Sequence, residues 1–370
     1  MKRLHRLLFI NIPLLIRAAI IKVCPPIYPV LRFKPYLATL NVTEKCCLRC
    51  IMCNLWRESH PDELKKDDWF RILDELKLAG VQEVNFTGGE ALMRTDIFDL
   101  IHHANTSGMK CGLTTNGYLL TEKNINRLIQ SGVRIFNISM DAVGSAYDDI
   151  RGVQGGYERL YSACQRLSRV KKEQGVDVYL CFLLMKKTLA HYKSVLAIGE
   201  ESGLPVVINL FDVNPYFFQS AAKKDDFWIG REEQKEFKEF LKYMVNQKSQ
   251  NKDFTYHSFI EIDYFSKYFK DPLQKTLPCV VSQSRLCVGP KGQVYGGCWA
   301  MGEYGQLRQQ SLKDIMRSDK FKTAHKKMFF KDCPGCSCGY ATNLRYSFRN
   351  VLTELGYRMF PKKREKIYIS

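Results

Sequence analysis

The chain has 370 residues, 45% of them hydrophobic and 25% charged, with 14 cysteines and a net charge of +18. This length and balance exclude a disordered or fibrous protein and suffice for one large α/β domain plus a smaller one. The cysteines gather at 46–53 and 333–338, a distribution that points to metal ligation rather than a disulfide framework.

Residues 1–35 form a basic amphipathic segment. Lys2, Arg3, Arg6, Arg17, Lys22, Arg32 and Lys34 stand without an acid before Glu44. MKRLHR ahead of LLFINIPLLI mimics a secretory signal, but Arg17 follows the apolar run directly and no A-x-A site is evident. A run of about ten residues is too short to span a bilayer. Leu7, Ile10, Leu14 and Ile21, with Leu8 and Leu15 beside them, fit a helix lying in a membrane interface that Pro13 starts or bends. The competing reading packs this apolar face on the protein's own body.

From residue 36 strands alternate with helices. Strands are predicted at 36–42, 81–87, 110–116, 134–140, 176–185 and 205–213, and helices near 62–79, 95–107, 121–131, 156–174 and 190–203. Capping-type residues precede several helices, such as Thr95-Asp96 and Thr121. Six β/α units imply a parallel sheet with right-handed crossovers, whose function gathers at the carboxyl ends of the strands. Residues 214–278 read as a linking region with a charged helix near 230–247. From 279 to 340 cysteines, glycines and short strands take over, and PKG in RLCVGPKGQVYGGCW marks a turn between two strands. The segment 341–370 is basic and amphipathic again, with Leu344, Phe348, Val351 and Leu355 at helical spacing. An anionic membrane surface is a candidate partner for both ends; nucleic acid is not expected, because no recognised motif accompanies the charge.

The chemistry-bearing cluster is KCCLRCIMCNLW on the loop leaving the first strand. Cys46, Cys50 and Cys53 are spaced by three residues, then two. Three thiolates so spaced can hold three irons of a [4Fe–4S] cube and leave the fourth open for a chelating cofactor; zinc is the alternative. This pattern resembles the radical S-adenosylmethionine (SAM) enzymes, whose signature is C-x3-C-x2-C, although the aromatic residue often found before the last cysteine is Met52 here. The resemblance implies a partial (β/α)6 TIM-like barrel over 36–213, a SAM-binding [4Fe–4S] cluster, SAM itself, and a reductant such as flavodoxin or ferredoxin. A cluster of this kind requires a reducing compartment, so a cytoplasmic location is expected, peripheral to the membrane if the basic ends dock there.

Other residues match by position. Gly88, Gly89 and Glu90, at the end of the second strand, match the family motif that contacts the methionyl amine of SAM; the glycines permit close approach to the backbone. Asn116, in the Thr114–Gly117 turn, matches a sequence that shapes the cofactor pocket, or is an ordinary strand-to-helix turn. Ser139 stands where the resemblance places a ribose contact, and Asp141 caps the following loop instead. Arg151 matches an arginine that holds the methionyl carboxylate in bidentate fashion, or pairs with Asp148 or Asp149 at the surface.

The C-terminal cysteines resemble the auxiliary-cluster domains called SPASM or, when shortened, twitch. With too few cysteines for the two-cluster pattern, a second, auxiliary [4Fe–4S] cluster held by Cys279, Cys298, Cys333 and Cys336 is expected. Cys338 is an alternative to Cys336, Cys287 is read as packing, and a four-thiolate zinc site is the competing assignment.

The implied reaction is reductive cleavage of SAM to a 5′-deoxyadenosyl radical that takes a hydrogen atom from a substrate carbon, the auxiliary cluster accepting an electron or positioning substrate. The expected activity is an oxidoreductase acting on a small-molecule, glycan or lipid-linked substrate. A peptide-modifying maturase and a non-enzymatic iron–sulfur electron carrier are the alternatives.

Overall fold

The computed structural model describes residues 35–57, 62–212, 224–251, 254–255, 257–272, 281–330 and 348–369, with further positions at 16, 19–21, 23–24, 27, 279 and 332. Most of the 1–35 segment, part of the 214–278 region, Leu344, and Cys333, Cys336 and Cys338 lie outside the described residues.

Six strands run parallel: β1 (Leu37–Asn41), β2 (Glu83–Thr87), β3 (Lys110–Thr115), β4 (Val133–Ser139), β5 (Asp177–Leu184) and β6 (Val206–Leu210). Between them stand α1 (Lys66–Leu78), α2 (Ile97–Thr106), α3 (Glu122–Ser131), α4 (Ser145–Arg151), α5 (Gly156–Gln174) and α6 (Tyr192–Glu201). Each predicted strand and crossover helix is present, with ends within a few residues. The seven-residue α4 was not foreseen: it follows Gly144 with no side-chain cap.

Strand alternation divides the sheet's two faces. Val84, Phe86, Leu113, Phe136, Ile138, Leu180 and Phe182 are fully buried and share one core with Trp69, Ile72, Leu73 and Leu76 of α1. Each such phenylalanine contributes about 1.5–3 kcal/mol by leaving water. The alternate residues Asn85, Thr114, Asn137, Ser139, Tyr179 and Cys181 share the opposite face and remain partly exposed. There Asn85 Nδ2 donates to Thr114 Oγ1 at 3.0 Å. The helices form by the same division: α3 starts on Thr121, whose hydroxyl accepts from the Asn124 amide at 3.2 Å, buries Ile125, Leu128 and Ile129, and stops at left-handed Gly132.

The sheet does not end at β1. β7 (Arg285–Val288) pairs parallel with β1, setting Thr39 opposite Cys287, and β8 (Gln293–Tyr295) and β9 (Gly305–Gln306) continue it antiparallel. The turn read from PKG therefore joins β7 and β8, and the hairpin belongs to the same nine-stranded sheet, in the order β6-β5-β4-β3-β2-β1-β7-β8-β9. At the other edge, Thr255 bridges Val206, and the Ile208 amide donates to His257 Nε2 at 2.8 Å. These groups precede α8 (Phe259–Tyr268), which follows α7 (Gln234–Gln250). α9 (Leu312–Arg317) and α10 (Asp319–Phe329) come after β9, and α11 (Phe348–Met359) and α12 (Pro361–Ile369) pack on α7 and α8. Among the described residues no helix is long and apolar enough to cross a membrane.

Candidate cofactor site at the carboxyl ends of β1 to β4

The chain leaves β1 through Val42-Thr43-Glu44-Lys45 and reaches the cysteine loop at Cys46. Two side chains fix this exit. The Glu63 carboxylate accepts from Thr43 Oγ1 at 2.9 Å and from the Glu44 amide at 2.8 Å. Arg94 Nη1 donates to the carbonyls of Val42 and Leu64, each at 3.0 Å, while Nε and Nη2 take the two oxygens of Asp96 at 2.8 and 2.7 Å. Asp96 occupies the N-cap of α2 but makes no side-chain cap bond. The capping expected there gives way to a bidentate, charge-assisted pair with Arg94.

Gly88 and Gly89 meet this exit from β2. A Cβ on Gly88 would collide with the Thr43 carbonyl, and one on Gly89 with the carbonyls of Glu44 and Lys45. Two backbone bonds seal the contact, Gly89 N to Thr43 O at 2.7 Å and Glu90 N to Lys45 O at 2.8 Å. The close approach expected at these glycines is thus made first by the chain's own loop.

Glu90 is buried. Its oxygens accept from Thr115 Oγ1 and the Asn116 amide, both at 2.9 Å, and from the Leu92 amide at 3.2 Å. Among the described residues no lysine or arginine pairs with it. Burial pushes the carboxyl above its ordinary value, and the three donors only partly offset this. A carboxyl raised above its unfolded value of 4.5 favours the folded state most below that value, and the contribution is lost as the pH rises through the folded pKa. Glu90→Gln, which removes the charge, is therefore expected to gain stability relative to the parent as pH rises from about 4 to 8, read by denaturant unfolding of the protein without cofactor. A pH-independent difference would show that Glu90 carries no burial penalty.

The cysteine loop is tied to the end of α4. The Arg49 amide donates to Arg151 O and the Ile51 amide to Ile150 O, both at 3.0 Å. Gly152 ends α4 in the left-handed region at φ 63°, and a side chain there would strike Arg49 O. Arg151 is buried. Its Nη2 pairs with Asp141, whose other oxygen accepts from the Leu183 amide at 2.9 Å, and its Nη1 lies 3.7 Å from Cys50 Sγ. The alternative partner Asp148 instead accepts from the amides of Gly155 and Tyr157. Burial works against the Arg151 charge, but Asp141, Cys50 and Tyr147 hold its guanidinium above the usual arginine range. Burial likewise raises the Asp141 carboxyl, against the pull of Arg151.

The sulfurs face N–H groups. Asn116 Nδ2 lies 3.7 Å from Cys46 Sγ and 3.6 Å from Cys47 Sγ, and the Leu48 amide 3.4 Å from Cys46 Sγ. Cys50 is buried and the Cys46 and Cys53 thiols are partly so. Burial raises the Cys50 thiol, despite Arg151, and pushes Cys53 up to about 11. The neighbouring Cys47 thiol and burial raise the Cys46 thiol, while Cys46 and the Asn116 side-chain amide lower Cys47. Such thiols lose their protons to a bound metal rather than to solvent. Among the described residues no three His, Cys, Asp or Glu are drawn together as a single-ion cage. The fit to an iron–sulfur cluster and a chelating amino acid rests instead on N–H donors beside soft sulfur ligands and on Glu90, a buried carboxylate lacking a cation.

Asn116 thus joins Cys46 to Glu90, Arg151 stands beside Cys50, the glycines meet the Thr43–Lys45 exit, and the Cys53 amide donates to Cys50 O at 3.1 Å. Ser139 stands partly exposed at the carboxyl end of β4. Arg94 and Glu63 were missed as parts of this site, whereas Thr115 lies in the Thr114–Gly117 turn already singled out and Asp141 was read only as a cap of the following loop. Of the expected auxiliary ligands, Cys298 is buried ahead of a short turn at Trp299–Met301, and the Cys279 amide donates to Phe329 O at 3.3 Å, at the end of α10. Cys287 is buried on β7.

Residues 40–191 match the family model described as Radical SAM superfamily. The match covers less than half of the chain, and over this stretch the chain is similar to radical SAM domains. The family is one of enzymes and implies a [4Fe–4S] cluster and SAM. Over 170 residues the chain is 29% identical to the AdoMet-dependent heme synthase of Oleidesulfovibrio alaskensis, covering 45% of this chain and 43% of that protein. It is 27% identical to the Fe-coproporphyrin III synthase of Methanosarcina barkeri over 45% of this chain and 41% of the relative. It is 33% identical to the PqqA peptide cyclase of Rhodopseudomonas palustris over 34% of each. The chain thus spans less than half the length of these curated relatives. Two solved structures share the fold. Streptococcus suis SuiB bound to S-adenosylmethionine is 16% identical, with a TM-score of 0.61 over 79% of this chain and 68% of SuiB. Native anSMEcpe with bound AdoMet is 16% identical, with a TM-score of 0.56 over 90% of this chain and 99% of that protein.

Proposed function

We propose that the chain is a radical SAM oxidoreductase in which Cys46, Cys50 and Cys53 hold a [4Fe–4S] cluster. Gly88, Gly89 and Glu90 receive the methionyl amine of SAM, and Asn116, Ser139 and Arg151 complete the cofactor pocket. The single observation carrying this reading is the cysteine loop tied by backbone bonds both to the GGE turn and to the end of α4. When bound, the cluster supplies the electron that cleaves SAM into methionine and a 5′-deoxyadenosyl radical, which takes a hydrogen atom from a substrate carbon. The chain's own residues orient the partners. Glu90 offers its uncompensated charge to an ammonium group. Arg151, already committed to Asp141, keeps one arm beside Cys50 and an unpartnered Nε; it positions the loop and has limited capacity left for a carboxylate. Gly88 and Gly89 lock the loop so that cofactor binding costs little ordering.

The test is electron paramagnetic resonance of the reduced protein under anaerobic conditions. Adding SAM is expected to change the spectrum of the cluster, and Glu90→Gln to weaken that response. A spectrum indifferent to SAM would overturn the assignment.

Our reading includes a second [4Fe–4S] cluster on Cys279, Cys298, Cys333 and Cys336, which accepts an electron from the substrate radical or positions substrate. Support comes from the Cys279 contact with Phe329, a residue four positions before Cys333 in sequence. Replacing Cys279 and Cys298 together by serine is expected to lower iron from about eight to about four per chain while leaving SAM cleavage intact; unchanged iron would remove this cluster. The substrate is taken as a small molecule, glycan or lipid-linked compound, in a cytoplasmic setting with flavodoxin or ferredoxin as reductant. A peptide substrate is the second reading, favoured by the PqqA peptide cyclase relatives.

A further inference from the structure

Among the described residues, helices α11 and α12 have an inner face engaged with the body and an outer face with exposed apolar side chains. On the inner side, the Glu354 carboxylate accepts from the Ile260 amide at 3.0 Å, Arg364 Nη1 donates to Ser249 Oγ at 2.8 Å, and the Arg364 guanidinium stacks over Phe259 at 5.0 Å. Ile367 is fully buried in the main core. On the outer side, Leu352, Leu355, Met359 and Phe360 are 52%, 44%, 63% and 51% exposed, more than a lone surface leucine would explain. Leu352, Leu355 and Met359 fall at i, i+3 and i+7, one stripe of α11.

Lys362, Lys363 and Lys366 of α12 are exposed, and the Lys363 ammonium sits 4.9 Å from the centre of the Phe360 ring. Glu354 is already paired with Arg358, leaving Glu365 as the exposed acid of α12. A second apolar patch is also exposed. Ile16, Ile20 and Val23 are exposed at i, i+4 and i+7, while Ile21 turns inward onto Phe329.

An apolar stripe followed by lysines on short helices is what an interfacial helix presents to lipid. The side chains enter the headgroup boundary, and the ammonium groups reach the phosphates. A second copy fits less well, since a two-fold contact would set the three lysines near their own mates. We infer that the outer face of α11 and α12 docks on an anionic bilayer surface, with Leu352, Leu355, Met359 and Phe360 in the headgroup region and Lys362, Lys363 and Lys366 against lipid phosphates. The inference does not depend on the cofactor assignment.

The test is flotation of the full chain with vesicles of phosphatidylcholine alone or mixed with phosphatidylglycerol. The protein is expected to float with the anionic vesicles only, and to be released as salt is raised. Leu355→Ser with Met359→Ser, and separately Lys362→Gln, Lys363→Gln and Lys366→Gln together, should each weaken partitioning by roughly tenfold or more. These positions are exposed, so the thermal midpoint should not move. In a Phe360→Trp variant, new emission that shifts to the blue and is quenched by brominated lipid would report entry at this face directly. Failure of the parent to bind anionic vesicles, or binding unchanged in both variants, would overturn the inference. So would a concentration-dependent dimer in vesicle-free solution that both variants abolish, which would make a second copy the occupant.

Discussion

Cys50→Ser is expected to abolish 5′-deoxyadenosine formation and remove the iron held at the β1 exit. Serine offers a harder and far less acidic ligand than a thiolate, and iron in clusters selects sulfur. Cys50 is also the buried member of the three, with Arg151 beside its sulfur. Losing even an outer-shell partner of a metal ligand costs about 10–100-fold, so losing the ligand should leave less than about 1% of parental activity. Chromatographic assay of deoxyadenosine, alongside iron per chain, checks this. Parental activity in the variant would remove Cys50 from the cluster and with it the central assignment.

The largest stability effect is expected at Asp141. Its side chain is fully buried, and it is the carboxylate that faces the buried Arg151 guanidinium. Asp141→Asn keeps an acceptor for the Leu183 amide but leaves the guanidinium charged and alone in the interior. Breaking a buried pair in this way costs about 3–5 kcal/mol, a fall of the thermal midpoint on the order of ten degrees for a domain of this size. Because Arg49 and Ile51 hang from the end of the same helix, iron retention should fall as well. Replacing both partners, Asp141→Leu with Arg151→Met, should cost less stability than Asp141→Asn alone, since no uncompensated charge remains. A loss below about 1 kcal/mol in the single variant would mean that water reaches the pair.

The parallel core was legible because each strand carries a continuous apolar face while its helices repeat at 3.6 residues; Val178, Leu180, Phe182 and Leu184 on β5 and Trp69, Ile72, Leu73 and Leu76 on α1 write these two periods into the chain. The cysteines and the GGE turn stand out in the sequence by spacing and by place at strand ends. Three features were not legible. α4 is seven residues long and follows a glycine without a side-chain cap, so propensity is silent there. Docking of β7 against β1 joins residues some 250 positions apart, and no local signal encodes such a pairing. The partner choices of Arg94, which takes Asp96 away from its cap, and of Arg151, which takes Asp141 rather than Asp148, depend on which charges are buried together once the sheet has formed. The glycines show the reverse case: residue type marked a close approach, but only the folded chain shows that its own Thr43–Lys45 backbone is what approaches.

The most direct test of the central assignment is made on protein purified and reconstituted without oxygen. Iron and sulfide are counted per chain, SAM and dithionite are added, and 5′-deoxyadenosine is measured. About eight irons with deoxyadenosine formed is the expected result; about four with deoxyadenosine formed would keep the radical SAM assignment and remove the second cluster. Bound iron with no deoxyadenosine, and a reduced cluster whose magnetic resonance spectrum ignores SAM, would contradict the assignment and leave an iron–sulfur electron carrier in its place.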